Sequence, residues 1–384
     1  MTASDDLLQE AERLSAVFRD EAERIEQSRR VPLELSRMMA EAGFYRLGVP
    51  RSLGGLEAPA ALSSRIVETL ARGDASCGWL AFIGATSGTA LAAIEASAGQ
   101  TIFASPSTHL AGVFAPTGRA RRVDGGFVVN GRWQWGSGTQ NADWILGGCL
   151  LCEGDAPMLD GKGRPRSHMM LMPAKDITFL DTWHVTGLRG TGSLDFEVHE
   201  LFVPETHAVG FLDLPKPEGA LYVFPNITFL ALGIAAVSLG IARAAIDEFV
   251  ALALTKKRAG SARTVAEQPH THMTLAKAEA ALRGARLFYY DAIDTAWRQA
   301  ECGDVSLDAR RDLRLATTNA VAQGVEVVDA MYTLAGGTSV YESSRLQRYF
   351  RDIHVATQHI MVAPSTYETA GRLFLGLDAN VAMF

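Results

Sequence analysis

The chain has 384 residues, of which 48% are hydrophobic and 21% are charged, and it carries a formal net charge of −7. This length exceeds what one hydrophobic core normally supports, so two or three domains are expected. The acidic balance argues against a nucleic-acid-binding protein, the acidic N-terminus argues against a signal peptide, and the four cysteines suit a reducing cytoplasm.

Helical periodicity dominates the first hundred residues. Apolar side chains recur every three or four positions from Asp5 onward, and Gly54-Gly55 marks a loop between helices. Residues 76–96 are almost wholly apolar, which predicts a helix that is buried on all sides. We therefore assign residues 1–108 to an N-terminal α-helical domain.

Short apolar runs separated by glycine replace the helical pattern after residue 108. Asp124-Gly125-Gly126 lies between two alternating runs and predicts a hairpin turn. The predicted strands cover residues 110–115, 119–123, 127–130, 144–152, 169–173, 177–183 and 194–202. Short strands at this density indicate a central β domain, a small barrel or sandwich, over residues 109–210.

Long helical segments return after Pro225. Broad, alanine-rich apolar faces extend over residues 226–254, 273–301, 307–335 and roughly 344–375. These segments predict a close-packed four-helix bundle in residues 211–384. The apolar stretch 229–239 is interrupted by Ser and Gly and is too short to span a bilayer, so no membrane partner is expected. The predicted fold is α+β but mainly α, in the order helical domain, β domain, helical bundle.

Two segments, residues 131–138 and 183–193, combine tryptophan, glycine and small hydroxyl residues more densely than a plain core requires. Glycine lets a ligand approach the backbone closely, and hydroxyl groups offer short, adjustable hydrogen bonds. Indole supplies a flat apolar wall. Together the two segments predict a slot for a planar heteroaromatic ring.

Ser137 lies between two glycines in the β region, which is not the strand-to-helix turn of a nucleophile elbow. It is either an ordinary turn serine or a donor to a ring heteroatom. The nearby Trp133 and Trp135, with Trp183 downstream, favour the second interpretation.

Three other motifs do not support a metal or dinucleotide site. Cys149 and Cys152 have metal-ligand spacing but lack a second pair and lie in an apolar strand. Glu267-Gln-Pro-His270 contains a proline that makes it a loop, and the sequence has no second Glu-x-x-His. Residues 187–192 are rich in glycine but lack the spacing of a dinucleotide loop. No metal site is therefore predicted.

The last predicted helix carries two histidines and a charged pair. His354 and His359 are five residues apart, so they point to different faces and cannot pair as zinc ligands. A lone helical histidine is most often a satisfied core or surface group, so the spacing by itself assigns no function. Arg351-Asp352 is compatible with a structural ion pair at the edge of the bundle.

The order of domains and several motifs resemble the acyl-CoA dehydrogenase fold over nearly the whole chain. The motifs are Pro50-Arg-Ser-Leu-Gly-Gly55, Gly187-Leu-Arg-Gly-Thr-Gly-Ser193 with Val203-Pro204, and Gly336-Gly337 before Arg348-x-x-Arg351-Asp352. Within this fold, residues 123–138, followed by Ala142-Asp-Trp144, are similar to the flavin-strand signature of the two-component flavin-dependent monooxygenases. Asp74-Ala-Ser-Cys-Gly-Trp79 resembles the helix entry of that branch, which includes 4-hydroxyphenylacetate, hydroxylated-steroid and dibenzothiophene oxygenases.

The position of His359 separates the two branches of this resemblance. Acyl-CoA dehydrogenases commonly carry a catalytic glutamate after the Arg-Asp pair, whereas this chain reads Thr357-Gln-His359. The monooxygenases place a histidine there, so the resemblance makes His359 the first catalytic candidate. Two departures concern the substrate: residues 84–88 lack a second active-site histidine of that branch, and Asn141 replaces another.

The resemblance implies an oxygenase component that receives reduced FMN or FAD from a separate reductase. A C4a-(hydro)peroxyflavin would deliver one oxygen atom to a small organic, aromatic substrate. The resemblance assigns catalysis to His359 and Ser137, and flavin binding to Trp135, Ser137, Trp183, Arg258, Ser261, Gly336, Gly337 and Arg351. Arg258 and Ser261 resemble phosphate ligands contributed across a subunit interface, which implies a homotetramer. The alternatives are an acyl-CoA dehydrogenase with bound FAD and a catalytically inactive flavin-fold binding subunit.

Overall fold

The N-terminal part of the computed structural model is helical, and the structure describes residues 3–210, 218–257 and 260–384. The chain begins with α1 (Ala3–Ser28), α2 (Leu33–Glu41), α3 (Ala60–Gly73), α4 (Ala75–Ala90) and α5 (Ala96–Ile102). The Asp74 carboxylate caps α4 by accepting the backbone N–H groups of Ser76 and Cys77. Nearly every residue of α4 is buried, as its apolar composition predicts.

In the described part of the chain, the middle region forms one sheet of eight strands. They are β1 (Leu110–Val123), β2 (Gly126–Gly136), β3 (Trp144–Glu153), β4 (Ala156–Pro157), β5 (Ser167–Pro173), β6 (Thr178–Leu180), β7 (Leu194–Pro204) and β8 (Ala208–Gly210). Their order is β6-β7-β2-β1-β3-β5-β8, with β4 paired to β3. The predicted hairpin between β1 and β2 is confirmed, and Gly125 adopts φ +76° in its turn. The separate strands predicted at 110–115 and 119–123 were wrong, because β1 continues through a register shift between Val113 and Gly118.

The two faces of the sheet bury different apolar sets because neighbouring strand residues point to opposite sides. Ile145 lies on one face, in a core with Trp133 and Phe196. Leu146 lies on the other face and packs in a core that includes Ile102 of α5. The sheet is thus covered on that side by the N-terminal helices.

The C-terminal part contains α6 (Ala220–Val223), α7 (Asn226–Thr255), α8 (Pro269–Glu301), α9 (Leu307–Ala335), α10 (Arg345–Ala356) and α11 (Ser365–Phe374). The first three long predicted segments correspond closely to α7, α8 and α9. The fourth, predicted over 344–375, was wrong as a continuous helix, because a turn over 357–364 separates α10 from α11. Pro364 lies directly before α11. It has no backbone N–H, so it cannot donate the hydrogen bond that would continue a helix through this position.

Helix α7 occupies the centre of the helical core. The helix extends well beyond the apolar stretch 229–239. With a mean hydropathy of 2.0 over 18 residues, it is long and apolar enough to cross a membrane. However, 89% of that window is buried inside the protein, as in a core helix. A Cβ on Gly233 of α7 would lie 2.3 Å from Phe82 of α4. The N- and C-terminal helices therefore share one core, and the domain boundaries at residues 108 and 210 stay a prediction.

Candidate active site

The end of β2 places two tryptophans in opposite environments. Trp133 is fully buried, its Nε1 donates to the Gly148 carbonyl at 2.8 Å, and its ring stacks on Phe196. Trp133 therefore belongs to the core of the sheet, which contradicts its predicted place beside a ligand slot. Trp135 is 69% exposed and adopts φ +64°, where the register of β2 shifts before Gly136. Its indole offers a flat apolar surface to a ligand.

Ser137 lies in a row of buried hydroxyl groups, Ser137, Ser193 and Thr191, which we call the hydroxyl chain. Ser137 Oγ is 2.7 Å from Ser193 Oγ, which is 2.7 Å from Thr191 Oγ1. Trp79 of α4 donates its indole N–H to Ser137 Oγ at 3.1 Å. All four side chains are buried. The two glycine- and tryptophan-rich segments of the sequence therefore meet through their hydroxyl residues.

His359 lies in the turn between α10 and α11, not on a helix as predicted. Helix α10 ends at Ala356, and His359 Nδ1 accepts the backbone N–H of Met361 at 3.2 Å. The ring of His359 also packs against Trp79, with 6.2 Å between the ring centroids. Trp79 therefore contacts both residues predicted for catalysis: Ser137 through its indole N–H and His359 through its ring.

The surroundings keep His359 neutral. Burial, with a smaller effect from the Arg314 guanidinium, lowers the pKa of His359 to about 4. Arg314 is held in place by donating to the Met361 carbonyl at 2.6 Å. Because His359 Nδ1 accepts a hydrogen bond, the proton of the neutral imidazole lies on Nε2. Near neutral pH the side chain therefore presents an N–H donor.

The segment from Trp183 onward is fastened to α10. Trp183 is half-buried and donates its indole N–H to the Leu188 carbonyl at 3.3 Å. The Leu188 N–H donates to Asp352 Oδ1 at 2.6 Å. Gly187 packs so closely that a Cβ there would lie 2.3 Å from the Arg351 carbonyl oxygen. Helix α10 therefore holds the loop that leads into the hydroxyl chain.

Arg351 joins this loop to two helices. Its guanidinium pairs with Glu26 of α1 at 2.6 Å and donates to the Thr186 carbonyl and to Gln347. These protein partners favour a structural role for Arg351 over the predicted flavin contact.

Three other predicted flavin ligands, Ser261, Gly336 and Gly337, lie in the helical part; the two glycines begin a 3-10 turn directly after α9. Gly336 and Gly337 are exposed, and a Cβ on either would meet nothing within 4 Å. Ser261 Oγ hydrogen-bonds the backbone N–H and carbonyl of Arg263. Arg258 lies outside the described residues. The space beside the two glycines is open in a single subunit. The resemblance places the cofactor of a neighbouring subunit there.

Asp352 is expected to make the stability pH-dependent. Burial raises the pKa of Asp352 from 3.8 to about 7, with a further upward contribution from the charge of Asp74. The folded chain binds this proton more tightly than the unfolded chain, so the free energy of unfolding falls as pH rises from about 4 to about 7. Asp352→Asn keeps an acceptor for Leu188 and should flatten this slope by up to about 1.4 kcal/mol per pH unit. Urea unfolding across this range measures the slope; the exposed Asp124→Asn is the control, and an unchanged slope in Asp352→Asn would contradict the assignment.

Sequence reasoning missed two buried residues of the site. The resemblance pointed to Trp79 only as part of a helix entry, and no spacing rule shows that this indole meets a serine 58 positions later. His109 is stacked on Tyr45 at 3.7 Å between ring centroids, and burial lowers the pKa of His109 to about 3. A Cβ on Gly138 would lie 3.4 Å from the His109 ring. For Trp79, the one signal in the sequence was a tryptophan in a helix that is otherwise rich in small residues.

Comparisons of family, sequence and structure identify relatives that share one fold and one type of activity. The acyl-CoA dehydrogenase N-terminal domain family matches residues 5–100, and the C-terminal domain family matches residues 232–364. Indole-3-acetate monooxygenase from Pseudomonas putida is 36% identical over 336 residues, 87% of this chain and 84% of that protein. The oxygenase subunit HsaA, a flavin-dependent monooxygenase of Rhodococcus jostii, is 29% identical over 381 residues, 92% of this chain and 93% of that protein. XiaF from Streptomyces sp., solved with FADH2 and glycerol, has a TM-score of 0.86 at 28% identity and covers 98% of this chain and 97% of its own.

The chain belongs to the flavin-dependent monooxygenases of the acyl-CoA dehydrogenase fold. It is an oxygenase component that acts with reduced flavin, as the sequence resemblance implied. The predicted fold class is likewise confirmed.

The residues around Ser137 fit a flavin. The exposed Trp135 indole is a flat surface on which an isoalloxazine ring could lie, and two residues further along the chain Ser137 carries a hydroxyl that could bind a ring heteroatom. The Nε2–H of His359 adds a donor to the same neighbourhood through the shared contact with Trp79. A flat apolar surface, a hydroxyl and a neutral imidazole suit a planar ring with polar edges.

Proposed function

We propose that this monooxygenase hydroxylates a small aromatic substrate beside Ser137, Trp79 and His359, with reduced FMN or FAD supplied by a separate reductase. Trp79 contacts both Ser137 and His359, and this contact is the main support for placing the reaction there. When bound, reduced flavin supplies the electrons that activate dioxygen, so that one oxygen atom enters the substrate and the other leaves as water.

His359 would act as a hydrogen-bond donor rather than as a base. Its Nδ1 lone pair already accepts the Met361 N–H, and the low pKa of His359, about 4, disfavours uptake of a second proton. The remaining Nε2–H can stabilise negative charge that develops on a reacting oxygen. This role needs no carboxylate at the position where an acyl-CoA dehydrogenase commonly carries its glutamate.

Aromatic side chains would keep water from the reacting atoms. Trp79 and Phe82 are buried and meet edge to face, with ring centroids 4.8 Å apart. Trp135 and Trp183 would form further walls around the flavin. A dry site limits unproductive release of hydrogen peroxide, which competes with oxygen transfer to the substrate.

The active form would be a homotetramer in the cytoplasm. Arg258 and Ser261, with Gly336 and Gly337, would contact a flavin bound mainly by a neighbouring subunit. Support comes from the glycines, where a Cβ would have open space. Directly beyond them Val340 and Tyr341 expose 67% and 68% of their surfaces, typical of a surface that another protein covers. The mass of the purified protein in solution tests the assembly.

Indole-3-acetate is the first substrate to test, because a relative that is 36% identical over 336 residues bears its name. We expect purified protein, given chemically reduced FMN or FAD and oxygen, to convert indole-3-acetate or a related aromatic acid to a product with one added oxygen atom. Mass spectrometry detects the product, and the hydrogen peroxide yield should fall when the substrate is present.

Two results would contradict the proposed function. Anaerobic bleaching of a yellow, FAD-containing protein by an acyl-CoA would identify a dehydrogenase. Failure to bind flavin in either redox state would identify a binding or assembly subunit.

A further inference from the structure

The hydroxyl chain runs in one direction. A hydroxyl group has one proton, whereas a carbonyl oxygen can only accept. Thr191 Oγ1 donates to the Leu188 carbonyl at 2.8 Å, so Thr191 must accept from Ser193. Ser193 then has no proton left for Ser137, and the 2.7 Å contact between them requires Ser137 to donate.

Trp79 sets the other end of the hydroxyl chain. An indole nitrogen can only donate, and Trp79 Nε1 lies 3.1 Å from Ser137 Oγ. Ser137 therefore accepts from Trp79 and donates to Ser193. What Ser137 has left is its second lone pair, which can only accept a hydrogen bond.

The opposite direction is disfavoured. If every hydroxyl turned toward Ser137, Thr191 Oγ1 and the Leu188 carbonyl oxygen would remain 2.8 Å apart with no proton between them. The Leu188 carbonyl is anchored by further donors, the Thr191 backbone N–H at 3.1 Å and the Trp183 indole at 3.3 Å. These donors hold the carbonyl oxygen in place, so reversal of the hydroxyl chain would press two buried oxygen lone pairs together at this distance.

Reduced and oxidised flavin differ in the hydrogen bond that they can form with an acceptor such as Ser137. Nitrogen N5 of reduced flavin bears a hydrogen and donates, whereas N5 of oxidised flavin has only a lone pair and accepts. We propose that Trp79, Ser193 and Thr191 are positioning residues that set Ser137 as an acceptor, so that the site selects reduced over oxidised flavin. This inference rests on the proposed function, because it requires a flavin beside Ser137. It replaces the predicted donor role of Ser137 and provides for release of the oxidised flavin to the reductase.

Two substitutions test the direction of the hydrogen bonds in the hydroxyl chain. Ser193→Ala removes the acceptor for the Ser137 proton, and Thr191→Val lets Ser193 turn its proton toward Ser137. Either change allows Ser137 to donate to oxidised flavin. The wild-type protein should bind reduced flavin more tightly, and both variants should lower the ratio of the two affinities by about three- to tenfold. Anaerobic titration with oxidised and with dithionite-reduced FMN and FAD measures both dissociation constants.

Matched controls separate this effect from loss of structure. Thr139→Val removes a buried hydroxyl from the same region, where Thr139 donates to the Gly136 carbonyl outside the hydroxyl chain, and should keep the wild-type ratio. Thr191→Ser retains the hydroxyl and should do the same. If one test variant does not fold, the other carries the test.

Two different failures can be told apart. An unchanged affinity ratio in folded Ser193→Ala or Thr191→Val would overturn the inference, and persistent aromatic hydroxylation would then leave the proposed function standing. Absence of flavin binding by the wild-type protein in both redox states would remove the proposed function itself.

Discussion

Replacement of His359 by alanine is expected to lower product formation by about 100-fold and to raise the yield of hydrogen peroxide. The imidazole is neutral, is oriented by the Met361 N–H and packs on Trp79, so its Nε2–H is a preorganised donor. Without it, negative charge on the reacting oxygen loses a partner in a site that excludes water. Product per reduced flavin, measured in single turnovers, reports this loss separately from flavin binding.

Two further variants sharpen the test of His359. His359→Gln keeps an N–H donor but cannot titrate, so partial recovery of product would support the donor role. His354→Ala removes the other histidine of this region, which is half-buried beside Asp329 at 3.1 Å, and should retain activity. Full coupling in His359→Ala would exclude the residue from the mechanism.

Gly187→Ala is expected to lower the free energy of unfolding by about 2 kcal/mol or more. The added Cβ would lie 2.3 Å from the carbonyl oxygen of Arg351 and 2.7 Å from the backbone nitrogen of Asp352. These are backbone atoms of α10, which cannot rotate away as a side chain can. The loop must therefore move off the helix, which also strains the hydrogen bond between Leu188 and Asp352.

Denaturant unfolding of Gly187→Ala is best compared with that of Gly161→Ala. A Cβ on Gly161 would meet nothing within 4 Å, and its loop is exposed. Equal stability of the two variants would show that the loop does not depend on close packing against α10. Because the loop leads to Thr191 and Ser193, Gly187→Ala should also weaken the preference for reduced flavin.

Local patterns in the sequence predicted most elements because helix and strand periodicities are local properties. Helices α7, α8 and α9 and the hairpin at Gly125 follow directly from apolar spacing and turn residues. The same reasoning was wrong over 344–375, where the apolar pattern continues through a turn that ends at Pro364. It was also wrong for Trp133, because strand register decides which tryptophan faces the core.

The amino-acid sequence was enough to predict the order of helices and strands, the resemblance to flavin-dependent monooxygenases, and the histidine that stands where a dehydrogenase commonly has its glutamate. The contacts of Trp79 with Ser137 and His359, and the neutral state of His359, became clear from the three-dimensional structure. The direction of the hydroxyl chain likewise follows from distances that the folded structure provides. Charge state and hydrogen-bond direction depend on burial and on partners far apart in the chain, and no local pattern contains either.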